Sequence, residues 1–187
     1  YQSEYFNLTS TCINHTISFV KSDKESASAA RNIGILESKG EILLFIDDDV
    51  LIDDKHFVYK HYKHYLDDNI IGVIGSSNDQ TNKEITFYRK PRSFNKTIGF
   101  LYYPKNYGSN TFISTGRSNN LSIRKSIALS VGGMDEQFTR GAHREETDFC
   151  LRVSKEFGLF IYAGIRKRME IHFFVICFQF CLFCLEI

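Results

Sequence analysis

Tryptophan is absent from this 187-residue chain, and proline occurs only twice. With so little proline and only 12 glycines, long structureless linkers are not expected. Net charge is also lacking: 23 Lys plus Arg stand against 22 Asp plus Glu, a formal +1. A general nucleic-acid binder carries a basic patch or a high pI, so no nucleic-acid partner is expected. Five cysteines, an odd number unevenly spread, do not make a disulfide framework, and a reducing, cytoplasmic compartment is the default. No basic-then-apolar leader stands at the start, and the chain opens at Tyr1 rather than Met, which reads as a fragment or a processed product. In that setting the four N-x-S/T sites (Asn7, Asn14, Asn95, Asn120) carry little meaning.

A full membrane span is missing too. The stretch FFVICFQFCLFCL, from Phe173 to Leu185, has no charge and follows the basic Arg166-Lys167-Arg168. It is short of the ~20 apolar residues that a span needs. A buried strand, the start of a membrane segment that attaches the chain to the cytoplasmic face, and a tail foreign to the domain all remain open. Cys177, Cys181 and Cys184 have a spacing that superficially suggests a metal knuckle, but their neighbours are apolar and a fourth ligand is lacking. They read as buried thiols.

What is present is a globular composition, 43% hydrophobic and 24% charged, at a length that suits one domain. The expected division is a domain over 1–165 and a basic, then hydrophobic tail over 166–187. Residues 17–20 read as a short strand. Ser22 and Glu25 fit a capping box ahead of a helix over 24–38, with Gly40 placed for a left-handed cap. Ile42-Leu43-Leu44-Phe45-Ile46 is apolar without alternation, which suits a strand buried on both faces of a parallel sheet. Asp53 and Asp54 are placed to cap a helix over 55–66, on which His56, His61 and His64 read as surface residues. Strands are expected at 70–74, 121–123 and 159–162, with helices at 125–131 and 144–157. The stretch 78–110 reads as an irregular excursion with strand-like pieces at 85–88 and 98–103. The class is α/β.

Two acidic groups stand out. Asp47-Asp48-Asp49 follows directly on the apolar strand, and ligands in open α/β sheets sit outside the carboxyl ends of strands. Residues i and i+2 point the same way in extended chain, so Asp47 and Asp49 are placed to share a divalent cation. A solvated acidic turn capping the next helix is the plain alternative. On the late helix, 3.6-residue periodicity puts Phe149, Cys150, Val153 and Phe157 on one inward stripe with Glu146. Asp148 falls opposite, and Glu145 shares a flank with Arg152. Burial raises a carboxylate's pKa and a helix N-terminus lowers it, a balance that suits a general base. Simple stabilisation of the helix start by Glu145 and Glu146 is the alternative.

Three stretches, SASAARNIGILESKGEILLFIDDDV (26–50), SNNLSIRKSIALSVGGMDEQF (118–138) and REETDFCLRVSKEFG (144–158), resemble in content, order and spacing the family-2 glycosyltransferases of the GT-A fold. The resemblance implies a Rossmann-like, mostly parallel sheet flanked by helices. It implies transfer of a sugar from a nucleotide-diphospho-sugar donor to a carbohydrate or other hydroxyl acceptor, metal-dependent and inverting. It assigns Asp47 and Asp49 to a divalent metal, Mn²⁺ or Mg²⁺, and Glu146 to the catalytic base where the family usually has Asp. Arg31, Asn32, Asp48, Glu145 and Asp148 fall on the donor and base segments, and Asp135 and Glu136 on the turn that shapes the acceptor side. His172 is the candidate for a histidine completing the metal shell, with its spacing altered by the segment RKRM. The family begins with an apolar strand and loop that grip base and ribose. No counterpart stands before Tyr1, so the nucleoside half of the pocket is expected to be incomplete. A domain that binds without turnover is therefore the first rival reading. A nucleotidyltransferase is the second, although it would want a Gly-rich phosphate loop that the sequence does not offer.

Overall fold

The computed structural model describes residues 20–47, 50–52, 54–78, 95, 97, 109–139 and 144–169. The expected strand over 17–20, save its last residue, the strand-like pieces between 78 and 110, and the tail from 170 onward lie outside these residues. Among the described residues, helix α1 spans Ala27–Glu37, β1 Ile42–Ile46, β2 Val50–Leu51, and α2 Phe57–Tyr62, which runs on into a 3₁₀ turn at Lys63–Leu66. Then come β3 (Gly72–Asn78), β4 (Thr111–Ile113), β5 (Asn120–Arg124), α3 (Lys125–Ser130), α4 (Glu145–Phe157) and β6 (Phe160–Met169).

Helix α1 starts later than the capping-box pattern suggests. Its N-cap is Ser26, whose Oγ accepts from the Ala29 amide at 3.4 Å, while Ser22 bonds only within its own turn to Lys24. At the other end the chain leaves through Ser38 in extended conformation, and no left-handed glycine is needed at position 40.

Among the described residues six strands form one sheet in the order β1-β5-β3-β6-β2, with β4 paired to the first residues of β6. The α/β class and the helix-flanked sheet hold, but the mostly parallel arrangement does not. Among the described strands only β3 and β6 run parallel; β1–β5, β3–β5, β4–β6 and β2–β6 are antiparallel. Continuous apolarity in β1 reported burial on two faces and said nothing of strand direction. Alternate residues of β1 enter two cores: Leu43 and Phe45 pack with Ile35, Ile123, Phe149, Cys150 and Val153, while Ile42 and Leu44 pack with Phe57, Tyr65, Val73 and Ile165. Period-2 alternation is thus preserved with both faces apolar.

His61 does not lie on the surface. Phe57, His61 and Tyr65 recur at i, i+4 and i+8 on the face that meets the sheet, and all three are buried. The polar atoms there form a one-way chain of hydrogen bonds. The Val73 amide donates to the Tyr65 hydroxyl, and Tyr65 donates to Ser122 Oγ at 2.8 Å. Asn120 donates its Nδ2 to the carbonyls of Ser76 (2.8 Å) and Ile165 (3.0 Å), which turns its Oδ1 toward His61 Nε2 at 2.9 Å. Since that oxygen only accepts, Nε2 holds the imidazole proton, and Nδ1 accepts from Ser122 Oγ at 2.8 Å. Asn120, one of the N-x-S sites, is thus enclosed in the sheet.

Burial pushes the His61 pKa down from 6.5 to about 4, with the nearby His64 adding to it and the Asn120 bond opposing. The unfolded chain binds this proton below about 6.5 and the folded chain resists it. Stability is therefore full above that pH and is lost as pH falls toward 4, by on the order of 3 kcal/mol. Melting temperature measured from pH 7 to 4 is expected to fall more steeply for the wild type than for His61→Gln. Asn120→Ala leaves three buried partners unmatched and is expected to cost about 1–3 kcal/mol in urea denaturation.

Candidate active site

The chemistry-bearing residues gather where β1 ends and α4 begins. Asp47 follows the last residue of β1, at the carboxyl end of a strand whose side chains are buried on both faces. Arg31 stands on the second turn of α1, placed there by the small, buried Ser28, Ala29 and Ala30 that seat the helix. Its guanidinium forks: NH1 donates to Glu145 Oε1 at 2.9 Å and NH2 to Asp47 Oδ1 at 3.2 Å.

Helix α4 supplies the rest. It begins after Arg144, whose φ of 81° is left-handed and costly for a non-glycine residue. Glu145, Glu146 and Asp148 crowd its first turn, where the helix dipole favours negative charge. The wheel expectation holds for Phe149, Cys150 and Val153, which are fully buried, but Phe157 is exposed. Glu145, expected on a flank with Arg152, is the deeper carboxylate, and Glu146 is half-buried. The pKa of Glu146 is raised above 4.5, first by burial and then by the charge of Glu145 and a hydrogen bond to it. Its own backbone amide and the Arg31 charge act in the opposite sense. Burial thus outweighs the helix start. Cys150, one turn on, has its thiol pushed up to about 12 by burial and is inert.

The other candidates build the neighbouring turn. Gly132 and Gly133 both have positive φ (75° and 72°), and a Cβ on Gly133 would run into the Asn32 amide. Asn32 uses that amide on the turn: Oδ1 accepts from the Met134 amide at 2.7 Å, and Nδ2 donates to Met134 O at 2.8 Å and to Glu136 Oε1 at 3.1 Å. Glu136 also pairs with Lys24, which first of all lowers its pKa. Asp135 accepts from the Gln137 amide at 2.9 Å. From the far side, Arg152 donates to the carbonyls of Val131 (2.6 Å) and Gly133 (2.8 Å) while Asp148 holds it at 2.8 Å.

Arg31, Asp47, Glu145 and Glu146 are therefore brought together, while Asn32, Asp135, Glu136 and Asp148 shape and hold the adjacent turn. Sequence reasoning missed the role of Arg152, although its i,i+4 spacing from Asp148 was a visible signal. No local signal marked Glu145 as the partner of Arg31, 114 residues away. Asp48, Asp49 and His172 lie outside the described residues. Among the described residues no group of three or more His, Cys, Asp or Glu is placed to hold a metal. No helix among them is long and apolar enough to cross a membrane.

A family model for glycosyl transferase family 2 matches residues 6–128, about two thirds of the chain. The match includes Arg31, Asn32 and Asp47 and stops short of the glycine turn and α4. A search of curated proteins returns no significant match. With an α/β fold built on a mixed, helix-flanked sheet and this family match over most of its length, the chain belongs to glycosyltransferase family 2.

Proposed function

We propose that the chain moves a sugar from a nucleotide-diphospho-sugar to an acceptor hydroxyl by a single, inverting displacement. The observation that carries this reading is the meeting of Asp47, at the carboxyl end of β1, with the Glu145–Glu146 pair through Arg31. The acceptor oxygen attacks the anomeric carbon, the bond from that carbon to the diphosphate oxygen breaks, and its electron pair leaves with the nucleoside diphosphate. Glu146 takes the acceptor's proton; a half-buried carboxylate of raised pKa is the stronger base for that task. Asp135 and Glu136 border the acceptor side, while Asn32 and Asp148 serve by holding their turn.

Asp47 is partly exposed at the strand end and already faces a cationic partner, and its oxygen donors suit a hard divalent ion such as Mg²⁺ or Mn²⁺. Asp47, with Asp49, would hold that ion. When bound, it offsets the charge that builds on the departing diphosphate. Arg31 stands beside Asp47 on this donor side, and the family resemblance assigns Asp48 to donor binding as well. A cytoplasmic setting accords with the cysteine usage.

Glu146→Gln is expected to lower kcat by about 10²–10⁴-fold, the range for a lost general base, with the melting temperature little changed. Undiminished transfer would remove Glu146 from this role. Because the base works ionised, kcat/KM is expected to rise with pH through a limb lying above the ordinary 4.5 of a glutamate. Thermal melts with a panel of nucleoside diphosphates, with and without Mn²⁺, check the donor site. One nucleotide at about 100 times its Kd should add roughly 2.7 kcal/mol, a rise of several degrees that needs the metal. No shift with any nucleotide would leave the non-catalytic reading standing.

A further inference from the structure

Arg31 joins two carboxylates that belong to different parts of the proposed reaction, and its two arms are unequal. The arm to Glu145 is the shorter, 2.9 Å against 3.2 Å, and joins side chains only 12% and 11% exposed. The arm to Asp47 reaches a side chain 35% exposed, where water weakens an ion pair. Breaking the inner arm would leave two charges in poor solvent, whereas breaking the outer arm releases a carboxylate that already meets water. The outer arm is the one that yields.

From this geometry we infer that Arg31 is a positioning residue with two settings, anchored on Glu145 in both. In one, its second nitrogen neutralises Asp47. In the other, Asp47 ligates a divalent cation and releases that nitrogen, while the inner arm keeps α1 tied to the helix that carries Glu146. The fork thereby makes the cation compete with a built-in counter-charge, and it registers the donor-side carboxylate against the base. Lysine cannot do both, because its single ammonium lacks the planar fork. The inference rests on the proposed glycosyl transfer for its kinetic part, but its binding part does not require turnover.

The test uses the full chain with Mn²⁺ alone as the probe, read as loss of the free-ion EPR signal. A second readout is nucleoside diphosphate release from a panel of UDP-, GDP- and dTDP-sugars. Arg31→Gln is expected to bind Mn²⁺ about fivefold more tightly than the wild type, the upper end for a partly exposed ion pair. Its kcat is expected to drop about a hundredfold, the scale of a misplaced reacting group. Arg31→Lys should keep the tie to Glu145 and most of kcat, yet bind Mn²⁺ as tightly as Arg31→Gln because it has no second arm for Asp47, a split that a merely structural role would not produce. Glu145→Gln should lower kcat in the wild-type background and not in the Arg31→Gln background, since it acts through the same fork.

Unchanged Mn²⁺ affinity in Arg31→Gln, wild-type Mn²⁺ affinity in Arg31→Lys, or additive losses in the double variant would each overturn the inference. If Arg31→Gln does not melt as a folded protein, Arg31→Lys and Glu145→Gln carry the test. If the wild type binds Mn²⁺ but releases no nucleoside diphosphate from any donor, the proposed function fails while the affinity comparison still decides the fork. If the wild type binds no Mn²⁺, the inference fails.

Discussion

The Asn120 side chain is the constraint on which the sheet depends. It sits on β5, donates to backbone carbonyls on β3 and β6, and accepts from His61 on α2. One amide thereby fixes the spacing of three strands and the seat of a helix. A methyl group on Gly75 would strike that amide, so β3 keeps a glycine where the side chain crosses. The register irregularity between β3 and β6 falls next to it, between Gly75 and Ser76. The parallel pairing and the antiparallel ones meet around this residue, and the end of β1 is held in place by its pairing with β5.

That scaffold places charge where it is costly and then balances it. Arg31 is nearly enclosed, and the carboxylates on each side of it differ in depth. Glu145 is held as an ion pair, and Glu146 is left as the carboxyl whose burial is not fully compensated. Two adjacent glutamates on one helix turn thus acquire different characters from a single cation on another helix. The nearby turn is held from both sides by residues of α1 and α4, so the same two helices govern both the charged group and the surface beside it.

Much of this was legible in the sequence, and the failures share a cause. The apolar run from Ile42 to Ile46, the glycine pair at 132–133 and the buried stripe of Phe149, Cys150 and Val153 are local patterns, and each appears where expected. Strand direction was not legible, because β1 pairs with a segment some eighty residues later. His61 was misjudged by residue type, although its spacing from Phe57 and Tyr65 gave it away. The cap at Ser26 was displaced by a rival pattern four residues earlier. Asn32 was matched by its A-R-N context, yet its partners at Met134 and Glu136 lie beyond any local window.

The long separations have a consequence for how the site comes and goes. Arg31 meets Glu145 across 114 residues, and Asn32 meets Met134 across 102. Each closes a long loop at a cost in entropy, as do the pairings of β1 with β5 and of β2 with β6. The sheet and its two apolar cores do not need them. The charged group holds its loop closed by a few polar contacts alone, without an apolar core of its own, and is therefore the part that a destabilised chain surrenders first. Under heat or denaturant, the capacity for chemistry is set to fade while the sheet is still intact.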